Sequence, residues 1–258
     1  APARRAGSLA PRARLGTSPK AKHSLHPAMA RPALVKLGGS LLTDKASEST
    51  FRRALARPLV SEVAKAEVPC VLLHGAGSFG HPQAKKHRIG QARPKPDGVA
   101  DVLSAVALLH AEVLGLANDA GLRPLSIPLC GVRGDGDDLV DLPMAEVAKA
   151  VEEGFTPVVH GTLVRDGRIG WRVVSADELI ARFASELQPR LAIFATDVDG
   201  VMDRDPADPA AKLMPRVTPA IALAVPTGKG DDVTGRMHGK LQHALATAQH
   251  CPTLIING

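Results

Sequence analysis

Residues 71–87 read VLLHGAGSFGHPQAKKH. The apolar run 71–73 reads as a buried strand that breaks at once into His74, Gly75, Ala76, Gly77, Ser78, Phe79, Gly80 and His81. Pro82 suits the first turn of a helix, where its missing N–H goes unused, and Gln83 to His87 carry that helix forward. Strand, glycine loop and helix N-terminus in that order present unpaired backbone N–H groups and the positive end of a helix dipole above the strand. Small residues let an anion, phosphate above all, come close to the backbone. Alone, such a loop is equally a tight turn between strand and helix, so its meaning rests on its surroundings.

Upstream, residues 33–37 read as a short buried strand that opens into a second glycine loop, Gly38-Gly39-Ser40, followed by Thr43, Asp44 and Lys45. Lys36 lies inside that strand and Lys45 just past the loop, so two ammonium groups can converge on one anion. A lysine in an apolar strand is costly unless paired or on a sheet edge, which makes Lys36 informative. Residues 52–66 read as a helix leading to the strand at Val71, and strand-helix-strand with loops at the strand ends predicts a mostly parallel sheet with helices on both faces. Ligands then sit beyond the carboxyl ends of the strands.

Downstream, Gly90, Pro94, Pro96 and Gly98 predict a loop over 88–98, one that can lie over the site. A helix over 100–118 puts Val102, Val106, Leu109, Val113 and Leu116 on one face, as core packing or as an apolar wall for a ligand's tail. A strand at 125–128 precedes a polar turn at 131–138, whose Asp135, Asp137 and Asp138 read as solvated turn residues rather than metal ligands. A helix over 144–152 stops at Gly154, and a strand at 157–160 opens onto Gly161 and Thr162. After a turn at Asp166-Gly167, Ser175 and Glu178 form a capping box ahead of a helical run to Leu187. Asp177, between them, is placed to hold two lysines by ion pairing. The strand at 191–195 ends in Thr196-Asp197-Val198-Asp199-Gly200, and residues 230–240 (GDDVTGRMHGK) form a third glycine loop opening into a helix to Gln249, with Lys240 as its basic residue. A last strand covers 253–256.

The 258 residues are 45% hydrophobic, enough for a real core. The net charge of +6 is unevenly placed: Arg4, Arg5, Arg12, Arg14, Lys20, Lys22 and Arg31 precede the first acid, Asp44, and without them the body is near −1. No nucleic-acid partner is expected of such a body. Residues 1–31 read as a disordered basic segment with some transit-peptide character; alternatively Met29 is the natural start, since Pro11, Pro19, Pro27 and Pro32 interrupt any amphipathic helix. No apolar run approaches the ~20 residues that cross a bilayer, so a soluble protein with no membrane partner is expected. Three cysteines, Cys70, Cys130 and Cys251, with neither zinc nor disulfide spacing point to a reducing compartment, the cytoplasm, unless residues 1–31 direct the chain to an organelle.

Two motifs mislead. Asp197-Val198-Asp199-Gly200 with Gly230-Asp231-Asp232 resembles the acidic motifs of haloacid-dehalogenase-type phosphatases, but the stretch between them is too short for the strand-helix units that fold requires. Calcium coordination fails because Gly200 stands at the fourth position, counting Asp197 as the first, rather than at the sixth. No Walker A loop is present, since Leu241 follows Lys240 where Ser or Thr is needed. Three glycine loops, three lysines and Asp177 are the equipment of phosphoryl transfer, whose transition state spreads negative charge over the moving group.

KLGGSLLTDK (36–45), HGAGSFGHPQAKK (74–86), GFTPVVHG (154–161), SADE (175–178), ATDVDGV (195–201) and DVTGRMHGK (232–240) together resemble the ordered motifs of the isopentenyl phosphate kinases, within the amino-acid-kinase superfamily. The GSFGH element is the most specific of these. The resemblance runs from Ala33 to Gly258. It implies an open three-layer αβα sandwich with a mainly parallel sheet, usually a homodimer, that uses ATP with Mg2+ to phosphorylate isopentenyl phosphate. An acceptor half, 32–165, precedes an ATP-binding half, 166–258, that is short at its carboxyl end. Carried over, Lys36, Gly38, Gly39 and Ser40 meet the ATP phosphates, and Lys45 stabilises the transferring phosphoryl. Ala76, His81 and Gly161 hold the acceptor phosphate, Gly77 meets the transferring group, Asp177 orients lysines, and Asp197, Gly235 and Lys240 bind nucleotide. No protein ligand to the metal is expected; magnesium travels with ATP.

The sequence departs from that pattern at Arg236, Thr162 and Ala176, where the family usually has glycine, aspartate and glycine, and it ends before an expected closing segment. Two alternatives therefore stand beside the leading reading. One is a kinase of the same fold acting on another small phosphate or phosphonate; the other is a nucleotide-binding protein that has lost catalysis.

Overall fold

Along the chain the elements are β1 (Ala33–Leu37), α1 (Gly39–Leu42), α2 (Arg53–Lys65), β2 (Cys70–His74), α3 (Gly77–Lys86), α4 (Pro96–Asp119), β3 (Pro124–Ser126), β4 (Arg133–Asp135), β5 (Asp138–Val140), α5 (Met144–Glu152), β6 (Thr156–His160), β7 (Thr162–Asp166), β8 (Gly170–Val174), α6 (Ala176–Leu187), β9 (Leu191–Thr196), α7 (Thr234–Ala248) and β10 (Thr253–Asn257). This is a computed structural model; it describes residues 31–91, 93–136, 138–204, 208–220 and 234–258, with side chains in the last stretch from Gly239 onward. The expectations for residues 1–30, for Asp137 and for 230–233 lie outside the described residues.

The apolar runs sort into one parallel six-stranded sheet in the order β10-β9-β1-β2-β6-β3. Its central strands are buried throughout, as strands covered on both faces must be. On one face Leu34, Val71, Leu73, Val159 and Phe194 pack with Val147 of α5, Ile180 and Phe183 of α6, and Ala244 of α7. On the other, Val35, Leu37, Leu72 and Val158 pack with Leu42 of α1, Val60 of α2, and Leu109, Val113 and Leu116 of α4. That is the expected αβα sandwich. A second small sheet, β5-β4-β7-β8, continues from the carboxyl end of β6.

Five expectations are corrected. Helix α3 begins at Gly77, not Pro82, because the N–H groups of Phe79 and Gly80 both bond to Ala76 O, making the glycine loop itself the first turn. Pro82 thus lies inside the helix, where it leaves the carbonyl of Ser78 without its helical donor. Ser49 N–H takes that carbonyl at 3.2 Å.

The loop expected over 88–98 gives way to α4 at Pro96, which stands in its first turn. Gly98 lies inside this helix, and a Cβ there would meet the His87 ring at 2.7 Å, so the position needs glycine. α4 has 24 residues, and an 18-residue stretch of it with a mean hydropathy of 1.8 makes it long and apolar enough to cross a membrane, against the expectation that no segment is. Its apolar side is spent inward instead: Val102, Val106, Leu109, Val113 and Leu116 are all buried.

The polar turn at 131–138 is a strand pair, β4 with β5. The capping box is half made: Ser175 Oγ accepts Glu178 N–H at 3.0 Å, but the Glu178 carboxylate turns to the part-buried Arg172 at 2.8 Å.

Candidate active site

Leu37 and His74 are register partners, so β1 and β2 end at the same level and their glycine loops leave the sheet side by side. Gly75 N–H bonds back to Leu37 O and Gly38 N–H to Ala195 O, each at 3.0 Å. The loops are in backbone contact: a Cβ on Gly39 would lie 2.5 Å from Gly77 N, and Gly77 itself has φ of +49°. Only glycine allows both the approach and the left-handed turn. Thr43, buried at the end of α1, ties the loops together by donating to Gly39 O at 2.8 Å and accepting Ser78 N–H at 2.9 Å. Sequence reasoning passed over Thr43; its spacing of four from Gly39, one helical turn, was the available signal.

The cations come from opposite ends of the chain. Lys36 Nζ lies 2.9 Å from Asp177 Oδ1, held at the start of α6, and the lysine is only 4% exposed. Lys240 reaches in from α7 and donates to Thr196 Oγ1 at 2.8 Å. Burial, and then the charge of Lys36, bring its ammonium down to about 8. Lys45 pairs with Asp197, not Asp177, at 2.6 Å, and stands 60% exposed at the mouth. Burial works against the charge of Asp197, but hydrogen bonds from Lys45 and Ser40 hold it down at about 2. Thr196 is a second residue that sequence reasoning missed; its place at the end of β9 beside Asp197 was the clue.

One cavity of about 530 Å³ gathers these groups. Lys36, Gly38, Gly39, Ser40, Lys45, Ala76, Gly77, His81, Gly161, Asp177, Asp197 and Lys240 all line it. Gly235 and Arg236 fall in the first turn of α7, before the described side chains. His81 is exposed on α3 at the cavity wall. Gly161 N–H is taken by His74 O at 3.0 Å, and a Cβ on Gly161 would meet Ala176 N and Val174 O at 3.1 Å, so it serves by being small. Thr162 and Ala176, two of the departures, also face the cavity. Of the apolar face of α4, Val102 and Val106 line the cavity with Ala84 and Leu163, while Leu109, Val113 and Leu116 go to the core. Among the described residues no cluster of histidine, cysteine or carboxylate side chains is arranged to hold a metal ion.

The model of the amino acid kinase family matches residues 31–257. The chain is 34% identical over 230 residues to an isopentenyl phosphate kinase of Methanothermobacter thermautotrophicus, covering 84% of this chain and 86% of that one. It is 30% identical over 212 residues to an isopentenyl phosphate kinase of Thermoplasma acidophilum, covering 81% and 84%. A solved structure described as an X-ray structure of isopentenyl phosphate kinase superposes with a TM-score of 0.76 at 30% identity, covering 87% of this chain and 90% of that one.

Proposed function

The chain belongs to the amino acid kinase family and within it to the isopentenyl phosphate kinases, and we propose that it transfers the γ-phosphoryl group of ATP to isopentenyl phosphate, giving isopentenyl diphosphate and ADP. The observation that carries this reading is the mixed lining of one cavity. Lys36, Lys240 and the Gly38–Gly39 loop share it with His81 of α3 and with the apolar residues Val102, Val106 and Leu163. That arrangement fits a nucleotide polyphosphate meeting a small phosphate that carries a hydrocarbon tail.

In this reading residues 166–258 supply most of the nucleotide side and 32–165 the acceptor side, across one shared sheet. Ser40 and the Gly39 N–H receive the ATP phosphates, Gly38 allowing their approach by being small while its N–H goes to Ala195 O, and Asp197, Gly235 and Lys240 bind the nucleotide. Lys36, aimed by Asp177, and Lys45 face the charge that develops on the moving group. Ala76, Gly77, His81 and Gly161 seat the acceptor phosphate and the transferring phosphoryl.

An acceptor oxygen forms the new O–P bond as the bond from γ-phosphorus to the β,γ-bridging oxygen breaks, and ADP leaves with that electron pair. A monophosphate with a second pKa of ~6 is mostly ionised at neutral pH, so no general base is required. His81 therefore acts as a hydrogen-bond donor that fixes the acceptor and offsets repulsion between the phosphates. Magnesium, bound by phosphate oxygens, supplies charge neutralisation on the nucleotide. The reading includes a homodimer, and free Cys70, Cys130 and Cys251 suit a cytoplasmic enzyme.

Phosphorus NMR of the protein with ATP, Mg2+ and isopentenyl phosphate tests it. The reading predicts loss of the monoester signal and growth of two coupled diphosphate signals. A monoester signal that persists while ADP and inorganic phosphate appear contradicts it.

A further inference from the structure

Three histidines that the transfer chemistry does not use lie stacked on the α4 side of the sheet. His74 and His160 end β2 and β6 as register partners, and His110 projects from α4. Their ring centroids are 5.3, 5.4 and 4.4 Å apart. The nitrogens do not converge as a metal cage would require. Instead they form a directed chain. His74 Nδ1 is 3.2 Å from Gly75 O, which only accepts, so that nitrogen carries the proton. In a neutral ring Nε2 is then bare, and it accepts a hydrogen bond from His110 Nδ1–H at 3.0 Å. His110 Nε2 is bare in turn and accepts from Ser126 Oγ at 2.8 Å, on the outermost strand β3. Separately, His160 Nδ1–H donates to Gly161 O at 3.0 Å. Burial lowers the pKa of all three rings, which supports the neutral state that this wiring needs.

The two carbonyls so held belong to the turns that enter the acceptor side of the cavity. In a trans peptide the carbonyl and the next N–H point in opposite directions. Fixing Gly75 O against the His74 ring therefore turns Ala76 N–H away from the ring, toward the outer side of the loop. His74 also receives Gly161 N–H on its own carbonyl, so one residue braces both turns.

We propose that His74 and His110, as Nδ1–H tautomers ordered from Ser126, and His160, held as the same tautomer by Gly161 O, are positioning residues that set the Gly75 and Gly161 turns for the acceptor phosphate. This rests on the assignment of that side of the cavity to the acceptor. The test has two arms. Long-range nitrogen–proton NMR of the wild-type protein reads the tautomers directly, and Nδ1–H is expected at all three rings. Steady-state kinetics then compare His110→Leu, which removes the donor to His74, with His110→Asn, which keeps an N–H near the Nδ1 position. The expected result is a rise in KM for isopentenyl phosphate on the order of 10-fold in His110→Leu, with KM for ATP held within about twofold and the rise reversed in His110→Asn. Nε2–H at His74, or the same KM for isopentenyl phosphate in both variants, overturns the proposal. The tautomer spectrum decides if His110→Leu does not fold. Nδ1–H tautomers in a wild-type protein that fails to turn over isopentenyl phosphate would count against the kinase reading and leave the hydrogen-bond chain standing.

Discussion

Lys36 and Asp177 meet at 2.9 Å between Nζ and Oδ1, although one lies on the strand at the middle of the sheet and the other on the first turn of α6. The cost of holding a lysine almost wholly out of water is offset by the carboxylate, itself 21% exposed, fixed beside it. Ser175 fixes that carboxylate's helix by capping it. The pair thus links the end of β1 to the start of α6 and aims a cation into the cavity.

Asp177→Asn keeps the shape and removes the charge. It should lower kcat on the order of 10²-fold with little change in KM for the acceptor. Leaving Lys36 buried without its partner should also destabilise the fold by about 3 kcal/mol. Coupled ADP release and urea unfolding read the two effects.

Lys240 gives the reaction a basic limb. With its pKa lowered to about 8, the ammonium is charged below that value and loses its proton as pH rises through it. Activity should therefore fall above pH 8 through weaker nucleotide binding, and Lys240→Arg, charged throughout, should move the fall to higher pH. The stability sign is opposite. The folded value lies below the unfolded one of 10.5, so the unfolded chain binds more protons between about 8 and 10.5, and this residue's unfavourable contribution is relieved as pH rises across that window. A pH series of initial rates beside a pH series of melting temperatures separates the two.

Thr43→Val strips both hydrogen bonds from the clip between the glycine loops while keeping its volume. Ser78 N–H is then left without that partner, while Gly39 O keeps the backbone N–H of residue 43, and the loss should cost about 1–3 kcal/mol. Thr43→Ser should recover most of it. Thermal unfolding of the pair measures this.

Much of the fold was legible because apolar runs bounded by glycine mark buried parallel strands, and β1, β2, β6, β9 and β10 all fall on such runs. Their order in the sheet and the burial of Lys36 were not legible in spacing alone. Gly77, Gly98 and Pro82 misled for a shared reason: each was read as punctuation, whereas tertiary contacts decide its role. Gly77 lets α3 begin against Gly39 and Thr43 where a side chain would clash, Gly98 lets α4 pass close to the His87 ring, and Pro82 is tolerated inside α3 because Ser49 N–H replaces the lost donor. The site lysines were visible as charges near glycine loops. Their partners were only half visible: Asp177 was expected to hold two lysines, not named, and pairs with Lys36, whereas Thr196 for Lys240 and Asp197 for Lys45 appear only when β9 is placed beside β1.

Gly39→Ala tests the contact of the two loops. Its new Cβ would stand 2.5 Å from Gly77 N and 2.6 Å from Gly77 Cα, so the loops must part. A shift of about 1 Å at the reacting groups should cost on the order of 10² in kcat/KM for both ATP and the acceptor. Initial-rate kinetics with each substrate varied in turn would show both losses, and a loss confined to one substrate would mean that the loops move independently.

The central claim is that the His81 side of the cavity takes a phosphate acceptor. Coupled ADP release with ATP and Mg2+ should be measured with isopentenyl phosphate, fosfomycin and acetylglutamate in turn, for the wild type and His81→Ala. The account predicts turnover with isopentenyl phosphate alone, lost in His81→Ala while ATP still binds. Turnover with acetylglutamate, or undiminished turnover of isopentenyl phosphate in His81→Ala, would contradict it.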